Sequence, residues 1–224
     1  MKTATGTADT AKPRAGATVA GGFVTGMLAG MTRLERDAAP LLKSVGIDPI
    51  GLGAPDARIP LATYAALYNR VAATLDDEAF GLFAAPMRCG SFEFLAHAMI
   101  GAGSLKDALE RLSRYLRILL PVMHVSVDRR GGTAWLRIEE TAPIAGGGAD
   151  PGRVFAFEWL LRLIHGLACW LADRGLALDA VAFPFPRPPH AADYALIYTA
   201  NSTFDAARLE ALMVRLMANS GKRR

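Results

Sequence analysis

Residues 121–140 read PVMHVSVDRRGGTAWLRIEE. Here the apolar spacing changes from the 3.6-residue period of a helix to the two-residue period of a strand. Met123, Val125 and Val127 share one side of a first run, and Leu136 and Ile138 share one side of a second. Arg129, Arg130, Gly131 and Gly132 lie between them and suit a turn, so the stretch predicts a β-hairpin. Helical patterns dominate on its N-terminal side and alternate with short strands on its C-terminal side. The expected fold is therefore α+β: a mostly helical N-terminal half packed on a small mixed or antiparallel sheet, with a long central helix.

Just upstream, residues 80–120 form a dense apolar scaffold without a catalytic motif. Ser104 suits a helix N-cap, and Asp107 stands three residues on, near the free first-turn donors. Leu105, Ala108, Leu109, Leu112, Leu116 and Leu119 then make one apolar face, up to the stop at Pro121. Lys106 with Glu110, Asp107 with Arg111 and Glu110 with Arg114 would pair on the polar face, each worth ~0.2–0.5 kcal/mol. A shorter helix is expected over 92–100 with Phe92, Leu95, Ala96, Met99 and Ile100 inward. Before it, Pro60 opens a helix carrying Leu61, Tyr64, Leu67, Tyr68, Val71 and Leu75. Residues 47–58, rich in Gly and Pro, read as a loop. A first helix is expected from Phe23 to Leu42, ended by Gly46, with Gly22, Gly26 and Gly30 at four-residue spacing near its start. That spacing allows close helix packing, but in a soluble chain it fits a frayed helix start better. Residues 1–20 show no periodicity and are expected to be a disordered tail.

Downstream of the hairpin, residues 153–174 are apolar nearly all round, which predicts a central or interface helix capped by Gly175. Residues 178–183 read as a strand and 184–189 as a rigid proline turn. Residues 194–199 suggest another strand, and 201–204 a turn with a short strand. A closing helix over 206–217 would carry Leu209, Leu212, Met213 and Leu216. One domain over 21–205 follows, with 206–224 as terminal helix and linker start.

Composition narrows the function. The chain has 224 residues, 52% hydrophobic, with mean hydropathy +0.23 and net charge +4. The charge is too small and too scattered for a nucleic-acid surface. Lys222, Arg223 and Arg224 read as a solvated end. Cys89 and Cys169 form no framework or metal motif; both are expected to be small buried hydrophobes in a reducing cytoplasm. The apolar run after Lys2, Lys12 and Arg14 imitates a secretion signal, but it is poor in leucine and runs on into a charged helix, so export is not expected. No uninterrupted strongly apolar segment reaches the ~18 residues of a membrane span, so no membrane partner is expected. Phosphate loops, nucleophile elbows, dinucleotide fingerprints and zinc motifs are missing, so neither an enzyme nor a cofactor is predicted. His97, His124, His165 and His190 are dispersed, and Glu139 with Glu140 reads as a solvated strand end.

Motif order carries more than any single motif. Gly46-Ile47-Asp48-Pro49, then Pro55-Asp56-Ala57-Arg58-Ile59-Pro60, Tyr64 and Phe80-Gly81-Leu82 resemble the N-terminal domain of one branch of AraC/XylS-type transcriptional regulators. Gly90-Ser91-Phe92, Ser104-Leu105, Ala108-Leu109, Arg114-Tyr115, Val181-Ala182-Phe183, Pro186 and Tyr194 continue the likeness, which covers roughly 23–204. Ala84-Ala85-Pro86 and the closing helix depart from the pattern. The resemblance implies effector sensing or dimerisation, with DNA bound only through a C-terminal helix-turn-helix domain that this sequence lacks.

A sensory domain needs an apolar pocket with a few placed polar groups. Tyr64, Tyr68, Phe92, Met99, Phe155 and Trp159 are the candidate walls; Arg162 and His165 are the candidate polar groups, with His124 beside Trp135 as a further one. Plain core packing is the competing reading of the aromatics. Arg162 on an apolar helix requires an anion if buried, either Glu158 one turn back or a ligand carboxylate. The expected effector is a small apolar acid, a fatty acid or amino-acid derivative, rather than a sugar. Alternatively the chain is a structural homodimerisation module, associating through the 153–174 helix or through Leu209, Leu212, Met213 and Leu216; a small α+β enzyme ranks below both readings, since it would need a pocket with a strongly perturbed carboxylate, cysteine or histidine.

Overall fold

The computed structural model describes residues 16–54, 56–130, 133–144 and 146–214. A two-stranded antiparallel ribbon, β1 (Thr18–Ala20) with β2 (Arg58–Pro60), ties the start of the fold together. So the tail expected to be disordered is ordered from Thr18 onward; residues 1–15 lie outside the described ones. Arg58 explains the ribbon: its guanidinium donates to the carbonyl and hydroxyl of Thr18 and pairs with Asp193 at 2.7 Å.

Helix α1 (Gly21–Arg33) follows directly. The expected single helix to Leu42 is broken: Glu35 takes a positive φ of 54°, and a separate α2 (Ala39–Ser44) begins with Pro40 in its first turn. Pro40 has no N–H to continue the first helix, while Asp37 accepts from the Ala39 N–H. A turn of 3₁₀ helix at Gly51–Gly53 interrupts the following loop. α3 (Leu61–Leu75), α4 (Ser91–Ile100) and α5 (Leu105–Leu119) match the helical pattern, and Ser104 caps α5 by accepting from the Asp107 N–H. Lys106 pairs with Glu110 as expected, whereas Arg111 turns to the carbonyl of Ala98. On α4 only Leu95 and Met99 are fully buried; Phe92 and Ile100, expected inward, are 42% and 60% exposed.

The hairpin forms as β3 (Met123–Arg130) and β4 (Thr133–Glu140), in antiparallel register from Met123 opposite Glu140. The five-stranded mixed sheet runs β3-β4-β7-β5-β6, where β5 is Leu178–Ala182, β6 is Ser202–Thr203 and β7 is Leu209–Val214. β7 replaces the expected terminal helix. Leu209, Ala211 and Met213 are buried alternately, and the strand fills the gap between β4 and β5. The alanine hid this two-residue period behind a helical spacing of leucines. The expected strand at 194–199 is instead a 3₁₀ turn leading into α7 (Tyr194–Ile197). Helical spacing sets the Tyr194 and Tyr198 rings 5.1 Å apart on the same cluster.

α6 (Pro151–Ala172) is the central helix, long and apolar enough to cross a membrane by length and composition alone. Its apolar surface is instead packed into the core, chiefly against α1. Asp150 caps it, and its C-terminal left-handed residue is Asp173 at φ 51° rather than Gly175. Buried Arg153 pairs with Glu140 at 2.6 Å and donates to the carbonyls of Gly148 and Pro184. Glu140 is thus an anchor between hairpin and helix, not a solvated end.

The glycine spacing on α1 is a packing device. A Cβ on Gly26 would stand 2.6 Å from the Phe155 Cβ, and one on Gly30 would stand 1.9 Å from the Phe80 carbonyl oxygen. These contacts let α1 lie directly on α6 and on the 80–82 turn, where Arg33 also donates to the carbonyls of Gly81 and Phe83. Gly30→Ala is therefore expected to lose about 1–3 kcal/mol of stability by overpacking. Gly53→Ala, in open space, should change it little. Urea unfolding of both variants checks this.

Candidate functional site

α3 and α6 lie beside a cavity of about 580 Å³. α3 contributes Tyr68, Asn69, Ala72 and Ala73, and α6 contributes Trp159, Arg162, Leu163, Gly166 and Leu167. Glu78, Cys89 and Phe92 form the third side. This volume falls within the ~300–1,000 Å³ of small-molecule sites. The third side is built by two carboxylates. Asp77, 3% exposed, accepts from the N–H groups of Ala79, Gly81 and Met87 and fixes the 77–87 turn. Glu78 accepts from the N–H groups of Gly90 and Phe92 and holds the start of α4 against the cavity.

The walls are locked from behind by aromatic packing. The Trp159 indole N–H donates to the Tyr68 hydroxyl at 3.1 Å, and Phe80 sits edge-on to both rings. Arg162 is part-buried as a residue, but its Nη2 is sealed from water and has no hydrogen-bond partner among the described residues. Its Nη1 donates to the Tyr198 hydroxyl at 2.9 Å. The guanidinium lies over the rings of Phe23 and Phe155 at 5.2 and 5.5 Å. Burial opposes its charge, yet Tyr198, Tyr64 and Glu158 offset that and hold the guanidinium above its ordinary range.

One turn earlier on α6, Glu158 is fully buried. Its Oε1 meets His190 Nε2 at 2.6 Å and accepts a short bond from the Tyr194 hydroxyl, whereas Oε2 has no partner among the described residues. Tyr198 bonds to both residues: its hydroxyl accepts from Arg162 Nη1 and donates to the Glu158 backbone carbonyl at 3.0 Å.

Four of the eight sequence candidates, Tyr68, Phe92, Trp159 and Arg162, thus line one cavity. Tyr64 stands behind Tyr68, their ring centroids 6.4 Å apart. Phe155 and Met99 are buried core residues. His165 lies apart from the cavity, its Nε2 2.7 Å from the Leu176 carbonyl. His124 is not beside Trp135: it faces Glu139 across the hairpin, while Trp135 faces Asp128. Cys89, expected to be buried, is exposed. Of the association candidates, Leu209 and Met213 are buried in the sheet and Leu212 is part-buried, so they offer no free helical face; Leu216 lies outside the described residues. Sequence reasoning missed Tyr194, Tyr198 and His190. Their signal was the four-residue spacing of polar aromatics after the proline turn. Among the described residues no group of His, Cys, Asp and Glu is arranged to hold a metal ion.

Burial raises the phenols of Tyr64, Tyr68, Tyr194 and Tyr198 above their ordinary 10.0, that of Tyr64 to about 12. A group whose folded value is raised stabilises fully below its unfolded value and loses that contribution as pH rises through the folded one. Melting temperature should therefore fall steeply from about pH 10 upward, and Tyr64→Phe should soften that fall. Thermal melts against pH measure both.

Residues 36–215 match a family model described as the arabinose-binding domain of AraC transcription regulator, N-terminal. An ornithine utilization regulator of Pseudomonas aeruginosa is 26% identical over 166 residues, covering 74% of this chain and 48% of that protein. The chain thus spans about half the length of this curated relative. With most of its residues matched by the family model, the chain belongs to the arabinose-binding domain family of AraC transcription regulators.

Proposed function

We propose that the chain is the sensory part of a cytoplasmic transcription regulator and that the cavity between α3 and α6 receives its effector. The observation that carries this is Arg162: a guanidinium at the wall of a largely apolar cavity, its buried Nη2 without a hydrogen-bond partner among the described residues. A buried donor left unpaired costs roughly 1–3 kcal/mol, more when charged. An anionic ligand removes that cost, and Trp159, Leu163, Leu167 and Phe92 suit an apolar body behind the anion. A small apolar acid, whether a fatty acid or an amino-acid derivative, therefore fits better than a neutral sugar, despite the family's description. The relative's name extends the screen to L-ornithine. DNA would be contacted through a separate helix-turn-helix domain, and the reading requires no catalysis.

Association with a second copy is the second reading, and one observation favours it. Phe94 on α4 and Ile118 on α5 are 58% and 74% exposed, and Phe94 lies 5.7 Å from the Tyr115 ring. A module that only dimerises would self-associate without responding to any acid.

Calorimetry with a panel of fatty, aromatic and amino acids separates the readings. At least one acid should bind, and Arg162→Gln should weaken it by about 2–5 kcal/mol. Binding of sugars alone, or binding unaffected by Arg162→Gln, would count against the effector site.

A further inference from the structure

Glycines inside the long helices of this chain answer to close packing, with one exception. On α1, a Cβ would stand 2.2 Å from His190 Nδ1 at Gly22, 2.6 Å from the Phe155 Cβ at Gly26 and 1.9 Å from the Phe80 carbonyl oxygen at Gly30. On α6, a Cβ at Gly152 would stand 3.0 Å from the Ala29 Cβ. Gly166 differs. It lies in the interior of α6, is exposed, and a Cβ there would meet no atom within 4 Å. Glycine weakens a helix interior relative to alanine, and no contact within the protein requires it here. Gly166 lines the 580 Å³ cavity, beside Leu163 and Leu167 of the same helix and with the small side chains Ala72 and Ala73 on the α3 side. The same lining holds Arg162, whose buried Nη2 has no hydrogen-bond partner among the described residues.

A charged anchor and an open stretch of helix fix the length of what fits between them. Arg162 and Gly166 are about one turn apart, ~6 Å along the axis. The Arg162 guanidinium reaches back over the Phe155 ring, so it lies further from Gly166 than that, on the order of 10 Å. An extended chain advances about 1.2 Å per bond, so an acid of about eight carbons covers the distance. We propose that Gly166 is a specificity-determining residue and that the effector is an unbranched monocarboxylic acid of about eight to ten carbons, its carboxylate on Arg162 and its chain passing over Gly166. Trp159, Leu163 and Leu167 flank the chain on α6, and Ala72 and Ala73 flank it on α3. Glu78, the acidic residue of the lining, already accepts from the Gly90 and Phe92 N–H groups and repels a second carboxylate. A large side chain at position 166 would occupy the path and shorten the site.

This inference rests on the effector reading above and narrows it from acids in general to chains that reach Gly166. The test is calorimetry of the full chain with hexanoate, octanoate and decanoate. Each methylene that the site buries should tighten binding about three- to fourfold, so decanoate should bind about tenfold or more tighter than hexanoate, which stops short of Gly166. Gly166→Leu should remove that preference by weakening decanoate about tenfold or more, with hexanoate changed by less than about twofold. Leucine is a good helix former and its Cβ meets no atom within 4 Å, so the variant should keep the fold. Gly166→Met supplies a second, flexible occupant if the leucine variant does not. Equal binding of the three acids by the unaltered chain, or a preference for decanoate that survives both substitutions, overturns the role of Gly166 and leaves the acid reading standing. So does binding of other acids when none of these three binds. Binding of no acid at all overturns both.

Discussion

Two opposite charges inside the core helix are the constraint on which the rest of this structure depends. Moving a charge out of water is costly unless it is paired or hydrogen-bonded. α6 carries Glu158 and Arg162 among residues that are otherwise almost wholly apolar. The segment after the proline turn answers them, with His190 and Tyr194 on Glu158 and Tyr198 on Arg162. This segment is therefore fixed by polar demand as much as by apolar packing. Its neighbours follow: Phe183 packs on Tyr194 and Tyr198, and Asp193 reaches back to Arg58 and the Ala20 N–H. The partial charge satisfaction at α6 thus connects the central helix, the far end of the sheet and the β1–β2 ribbon. Any ligand that completes it would act on all three.

The cavity depends on a second constraint, the position of the 77–92 segment. Asp77 gathers three backbone donors around its carboxylate, and Glu78 gathers two at the start of α4. Phe80 is held at a positive φ of 58°, strained for a bulky residue, because its ring fills the space between Tyr68, Phe155 and Trp159. The glycine face of α1 closes over this turn. One wall of the cavity is thus rigid helix, and the opposite wall is loop held by carboxylate-to-backbone bonds.

Strong periodicity made most of the helices and the hairpin legible in the sequence. α5 announces both its cap and its apolar stripe, and the switch at Pro121 marks the sheet. β7 was not legible, because Leu209, Leu212 and Met213 fit a helix while Leu209, Ala211 and Met213 fit a strand; the vacancy between β4 and β5 decides for the strand. α7 was misread for the converse reason, since aromatic residues favour strands locally but here follow the buried charge. In the site, Arg162 stood out as a charge on an apolar helix, and its cavity neighbours Tyr68 and Trp159 followed from helical spacing. The partners at 190–198 come from a distant segment, and no local pattern ties them to α6.

A crystal structure of the chain with the tightest-binding acid from the calorimetric panel tests the central claim most directly. The ligand is expected between α3 and α6, with its carboxylate at hydrogen-bond distance, about 2.7–3.2 Å, from Arg162 Nη2. A ligand seated elsewhere, with Arg162 Nη2 still unpaired, would contradict it.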